Sequence, residues 1–188
     1  HDGELLFSIG EAGVLGKDKT HFALPSDLSI LEDGSVYVSD GYVNTRVIKF
    51  DSSGTFQMQW GSPGHKSGEF DLPHGISASN NLVYVADRGN SRVQIFDNDG
   101  TYISEWNTNQ VGRPYGVAVS NDENVFIIDG GDQPDSTRSR VVILDTDGNV
   151  LNRFSAEDES DEKNLGHDIA LGLDGAVYVV DAWASSVR

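Results

Sequence analysis

The stretch Leu72-Pro73-His74-Gly75-Ile76-Ser77-Ala78-Ser79-Asn80-Asn81-Leu82-Val83-Tyr84-Val85-Ala86-Asp87-Arg88-Gly89-Asn90-Ser91-Arg92-Val93-Gln94-Ile95-Phe96 decides the fold. It opens on a Pro turn and passes through a short apolar run to a second one, Val83 to Ala86. That run ends in an acid, and after a polar loop a third run begins at Val93. Runs of four or five β-branched and aromatic residues punctuated by turn residues signal short antiparallel strands. A fourth run, Tyr102-Ile103-Ser104-Glu105-Trp106, completes the unit.

The same phrase recurs. Its copies open at Leu24-Pro25-Ser26-Asp27, Leu72-Pro73-His74-Gly75, Arg113-Pro114-Tyr115-Gly116 and Leu165-Gly166-His167-Asp168, and run to Asp40, Asp87, Asp129 and Asp181. Copy one shows the full set: Leu28-Ser29-Ile30, Val36-Tyr37-Val38-Ser39, Val47-Ile48-Lys49-Phe50 and Phe56-Gln57-Met58-Gln59-Trp60. Four short strands repeating every 41 to 52 residues, from Pro25 to Pro73 to Pro114 to Gly166, predict the blades of a β-propeller. The expectation is therefore all-β, with about four blades of a six-bladed ring. All lie in a single domain over 1–188, with repeats near 24–61, 72–106, 113–154 and 165–188. Leu5-Leu6-Phe7-Ser8-Ile9-Gly10 resembles the outermost strand that ends in Trp60-Gly61, and predicts a strand of a preceding blade. The chain starts at His1 without a methionine and stops at Arg188 partway through the fourth copy, so it is expected to be a stretch of a longer protein.

Composition excludes some functions. The 188 residues carry a net charge of -17, which argues against a nucleic-acid partner because phosphate binding needs a basic face. No apolar run is long enough to span a membrane. Cysteine is absent, so there are neither disulfides nor thiolate ligands.

A repeat carries its own control: what every copy shares serves the fold, and what one or two copies possess is a candidate for chemistry. Asp40, Asp87, Asp129 and Asp181 occur in all copies, and Arg46, Arg92 and Arg140 in three, so these are expected to fix turns and pair across strands. The slot after the turn holds histidine only in alternate copies, at His74 and His167, while Ser26 and Tyr115 fill the others. In a blade whose strands alternate direction, the start of the first strand and the loop between the second and third lie on one face. His74 and His167 are thereby predicted at the mouth of the central channel, with Tyr42 and Arg88 on the same rim. A third histidine from an upstream blade would complete a three-imidazole zinc site with an open position. His21 is a weaker candidate, since it sits off the slot, and His65 reads as a solvated side chain.

The phrase resembles the NHL repeat, with copy two fitting nearly throughout. The motifs His21-Phe22-Ala23-Leu24-Pro25-Ser26-Asp27, Val38-Ser39-Asp40-Gly41-Tyr42-Val43-Asn44-Thr45-Arg46, Leu72-Pro73-His74, Val85-Ala86-Asp87-Arg88, Gly131-Asp132-Gln133 and Gly166-His167-Asp168 occur in the order seen in peptidyl-α-hydroxyglycine α-amidating lyases. The chain is similar to the bacterial, cysteine-poor kind of that family. The resemblance implies a monomeric zinc lyase. Such an enzyme cleaves the N–C bond of a peptidyl-α-hydroxyglycine to a peptide amide and glyoxylate. Its zinc would sit on His74 and His167, with Tyr42 as catalytic tyrosine, Arg88 beside the substrate, and a structural calcium on Asp168, whose side chain is expected to point into the blade packing. Gly166 and Leu165 depart from the family's Pro and Met, and Val43 and Ala23 stand where animal relatives form a disulfide. A non-catalytic propeller that binds a protein or ligand remains an alternative. A channel-metal hydrolase is disfavoured because the slots lack the carboxylates and Asn it uses.

Overall fold

A computed structural model describes residues 3–5, 7–132, 138–155 and 164–188. They form four antiparallel sheets, each a blade with its strands in chain order. Blade one contains β1 (Asp27–Ile30), β2 (Val36–Asp40), β3 (Arg46–Phe50) and β4 (Phe56–Trp60). Blade two contains β5 (Pro73–Ser79), β6 (Leu82–Asp87), β7 (Arg92–Asp97) and β8 (Tyr102–Trp106). Blade three contains β9 (Pro114–Val119), β10 (Val125–Asp129), β11 (Arg140–Leu144) and β12 (Val150–Ser155). Blade four holds β13 (Gly166–Leu171), β14 (Val177–Asp181) and the two-residue β15 (Ser186–Val187). The all-β blade arrangement predicted from the repeats is what the chain adopts.

The core lies between blades. Successive residues of a strand point to opposite faces, and the middle strands are covered on both, so they read as unbroken apolar runs. Tyr37 and Val47 of blade one pack on Ile76, Val83, Val85 and Phe96 of blade two. Tyr84, Val93, Ile95 and Trp106 pack on Val117, Val125, Ile127 and Val142 of blade three, and Ile128 and Val141 on Ile169 and Val179 of blade four. Each such side chain contributes about 1.5–3 kcal/mol on burial. Among the described residues, apolar side chains stay exposed on both end blades: Leu28 and Ile30 on one, Tyr178 and Val180 on the other.

The shared acids do what their recurrence predicts. Asp40 pairs with Arg46 at 2.9 Å, Asp87 with Arg92 at 2.8 Å, and Asp129 with Arg140 at 3.5 Å. A fourth pair, missed in the sequence, joins Asp181 to Arg188 at 3.7 Å. In each blade the acid also accepts the backbone N–H of a residue just ahead of the slot turn: Ala23, Asp71, Arg113 and Leu165. One carboxylate thus ties the end of the second strand to the entry of the first.

Two local expectations need correction. Leu5 to Gly10 forms no strand among its described residues. With no ladder beside it, the stretch lies across blade one, where Ile9 packs with Phe22 against Val38, Ile48 and Phe50. A one-turn helix, α1 (Thr108–Val111), enters blade three unannounced by any periodicity, because a single turn has none. Its signal is the reciprocal cap in which Asn107 and Gln110 satisfy each other's backbone groups.

Candidate active site

The first strands β1, β5, β9 and β13 lie side by side along the inner edge of the arc, and β5 is set between its neighbours with little clearance. A Cβ on Gly41 would fall 1.7 Å from the carbonyl oxygen of Pro73, and one on Gly75 would fall 2.6 Å from that of Tyr115. Only glycine lets these backbones approach. Ser39 Oγ donates to the His74 carbonyl at 2.6 Å, and Asp27 accepts the N–H of Ile76 at 2.8 Å. The residue in the second slot is therefore held by its main chain before its side chain is considered.

His74 is 3% exposed, and its ring lies 4.7 Å from that of His167, centroid to centroid, at 77°. The alternate slots do bring two imidazoles together. His74 Nδ1 is 2.9 Å from the carbonyl oxygen of Tyr115. A carbonyl can only accept, so Nδ1 carries the hydrogen and Nε2 keeps its lone pair. Tyr42 Oη stands 2.9 Å from that Nε2 and donates to it. Burial, reinforced by His167 and Arg88, lowers the His74 pKa from 6.5 to about 4. Burial and Arg88 also lower that of His167. Both rings are neutral near pH 7, the state in which imidazole binds metal.

Tyr42 is 44% exposed, with its ring edge-on to His74, and opens the pair to solvent. Arg88 begins a 3₁₀ turn (Arg88–Asn90) after β6 and lies with its guanidinium 3.8 Å above the Tyr115 ring. One Nη of Arg88 donates to the Tyr115 hydroxyl, which donates to Asp132 Oδ2 at 2.6 Å. Arg113 reaches the same carboxylate oxygen at 2.8 Å. Burial, with the Asp132 hydrogen bond, pushes the Tyr115 phenol up to about 12. The hydroxyl therefore stays protonated and keeps that direction.

The remaining candidates fall out differently. Asp168 was expected to point into the blade packing; the residue is exposed, with one carboxylate oxygen turned toward blade three. Its Oδ1 accepts the N–H of Ile169 at 2.8 Å and approaches Gly116. Its charge, added to burial, raises the Asp27 pKa to about 6. His21 is paired with Asp18 at 2.9 Å rather than with the other histidines. The exposed His65 meets Asn90 at 2.6 Å. Gln133 lies outside the described residues. Among the described residues no group of three or more His, Cys, Asp or Glu side chains is arranged to hold a metal ion.

Sequence reasoning passed over Tyr115, which fills a slot treated as a control, and with it Arg113. The signal for Tyr115 was that its slot holds the largest side chain of the four, where Ser26 is small.

The four blades define a stretch of β-propeller, and residues 70–96 within it match the NHL repeat. Over nearly its whole length the chain is similar to amidating enzymes. It is 32% identical over 195 residues to peptidyl-glycine alpha-amidating monooxygenase B of Xenopus laevis, covering 97% of this chain and 22% of that protein. It is 30% identical over 188 residues to the probable peptidyl-alpha-hydroxyglycine alpha-amidating lyase pgal-1 of Caenorhabditis elegans, covering 94% and 51%. The chain thus spans about half of the shorter relative and about a fifth of the longer. Among solved structures, virginiamycin B lyase from Staphylococcus aureus with quinupristin superposes with a TM-score of 0.65 at 16% identity, over 93% of this chain and 53% of that one. At that identity the likeness is one of fold.

Proposed function

We propose that this chain carries part of the active site of a zinc-dependent lyase. The enzyme cleaves the N–C bond of a peptidyl-α-hydroxyglycine and releases a peptide amide and glyoxylate. The observation that supports it most is the facing pair His74 and His167, with Tyr42 on one ring and Arg88 beside it. The similarity to amidating lyases supplies the substrate class.

The two rings fit zinc. Both are neutral, His74 has its tautomer fixed from behind so that Nε2 would bind zinc in exchange for the Tyr42 hydrogen bond it accepts here, and two imidazoles sharing one ion at about 2.0–2.1 Å have centroids roughly 5 Å apart, against 4.7 Å here. The proposed ligand set includes a third imidazole that the described residues do not supply. Zinc there supplies Lewis acidity that makes a neighbouring hydroxyl easier to deprotonate. Tyr42, acting as the phenolate once its hydroxyl no longer donates to His74, takes the proton of the substrate hydroxyl on Oη. The C–O bond becomes C=O as the C–N electron pair leaves on nitrogen, and the proton passes on to that nitrogen, so Tyr42 ends as it began. Arg88 holds the substrate carboxylate, a task to which a guanidinium is suited. Calcium at Asp168 is a structural element of the same proposal. The repulsion between Asp168 and Asp27, which a cation would relieve, supports it. The absence of cysteine, with Ala23 and Val43 in place of a disulfide, supports a bacterial type.

The decisive experiment is metal analysis of the full-length protein followed by glyoxylate release from α-hydroxyhippurate. About one zinc per chain is expected, with release abolished by chelation and by His74→Ala. A zinc-free protein that binds a partner unchanged would favour a non-catalytic scaffold instead.

A further inference from the structure

We propose that Tyr115, anchored by Asp132, is a positioning residue: it fixes the Arg88 guanidinium at the rim so that the site accepts a group bearing one negative charge. What Arg88 holds rests on the lyase reading above. How Arg88 is held does not.

Tyr115 meets Arg88 in two ways at once. Its ring lies 3.8 Å beneath the guanidinium, an attraction between cation and ring face. Its hydroxyl accepts from an Arg88 Nη and gives its only hydrogen to Asp132 Oδ2. A carboxylate can only accept, so the order Arg88 to Tyr115 to Asp132 has a fixed sense. Arg113 closes the group by bonding Asp132 Oδ2 at 2.8 Å while its Nε donates to the Arg88 carbonyl at 3.4 Å. The loop and the head of Arg88 are both gripped.

Two atoms are left over. Arg88 Nε and Asp132 Oδ1 are buried without a hydrogen-bond partner among the described residues. A guanidinium clamped on one side, whose side chain is still 19% exposed, suits a docking carboxylate. Charge narrows the ligand further. The clamp itself, two guanidiniums and one carboxylate, carries a single net positive charge, which one substrate carboxylate balances.

The test uses the full-length protein with its metal, and compares Tyr115→Phe and Asp132→Asn with the wild type. Tyr115→Phe keeps the ring and the carbonyl that orients His74 but loses the hydroxyl. It is expected to raise KM for α-hydroxyhippurate about ten-fold, as does loss of one hydrogen bond to a charged group, and to leave kcat within about two-fold. KM for the neutral methyl ester should not move. Equal shifts for acid and ester, or none for either, would overturn the proposal. A second readout needs no turnover. Arg88 side-chain NMR signals, shifted upfield by the ring face, should persist in Tyr115→Phe and vanish in Tyr115→Leu; if they survive in the leucine variant the clamp is disproved. If the wild type neither turns over the substrate nor binds hippurate, the lyase reading falls. The clamp is then decided by those resonances alone.

Discussion

Tyr42 and His74 share one hydrogen bond, and it joins the exposed and buried halves of the site. Removing the hydroxyl in Tyr42→Phe takes away the proposed proton acceptor while leaving the ring edge against His74. Glyoxylate release should fall by about 10² to 10⁴-fold, and an unchanged rate would remove Tyr42 from the reaction. At this scale the sequence is informative where copies differ and silent where chemistry uses the main chain. His74 and His167 stood out against Ser26 and Tyr115 in equivalent slots. Tyr42 and Arg88 followed from the loop that each occupies. The Tyr115 carbonyl that sets the His74 tautomer has no residue signature at all, since any amino acid would supply it. Tyr115 itself was hidden by the comparison that revealed the histidines, because a slot used as a control is not examined for a role.

Elements meet in this fold through backbone proximity as much as through side chains. Gly41→Ala would drive a methyl into the Pro73 carbonyl, and a backbone atom cannot swing aside. The loop that carries Tyr42 and the strand that carries His74 must then part. A loss of about 1–3 kcal/mol is expected, read as a lower denaturation midpoint, with a drop in metal affinity. The acid–arginine pairs rank themselves by burial. Asp87 is fully buried, and its carboxyl is pushed upward by that burial even though Asn90 and Arg92 pull the other way. Asp87→Ala takes the buried acceptor from Arg92 Nε, Asn90 Nδ2 and the Asp71 N–H together and should cost about 3–5 kcal/mol, whereas Asp129→Ala, facing the half-exposed Arg140, should cost less. Strand order and blade spacing were legible because turn residues and apolar runs recur in step. Three features were not: the helix α1, whose cap is the only mark it leaves; Arg188, whose pairing depends on a two-residue strand; and Leu5 to Gly10, which has the composition of a strand but no partner to hydrogen-bond.

For the whole molecule, two titrating groups, the buried His74 and the partly buried Asp27, act on acid stability in opposite senses. In the metal-free protein His74 takes its proton near pH 4 rather than 6.5. Between those values the unfolded chain binds the extra proton, so stability falls as pH drops through that window. Asp27, raised from 3.8 to about 6, holds its proton in the folded state over that range, and so adds stability as pH falls from about 6 to 3.8. Asp27→Asn removes the opposing contribution. Denaturant melts between pH 4 and 6 should show stability rising more steeply with pH in the variant, and parallel curves would refute the pair. The exposed apolar residues of the end blades have a separate effect. Leu28 and Ile30 at one side and Tyr178 and Val180 at the other are two different exposed apolar surfaces. Copies of residues 1–188 produced alone would dock head to tail, and a contact of that kind need not close on itself. Light scattering should then report chains of growing length with concentration rather than a defined dimer.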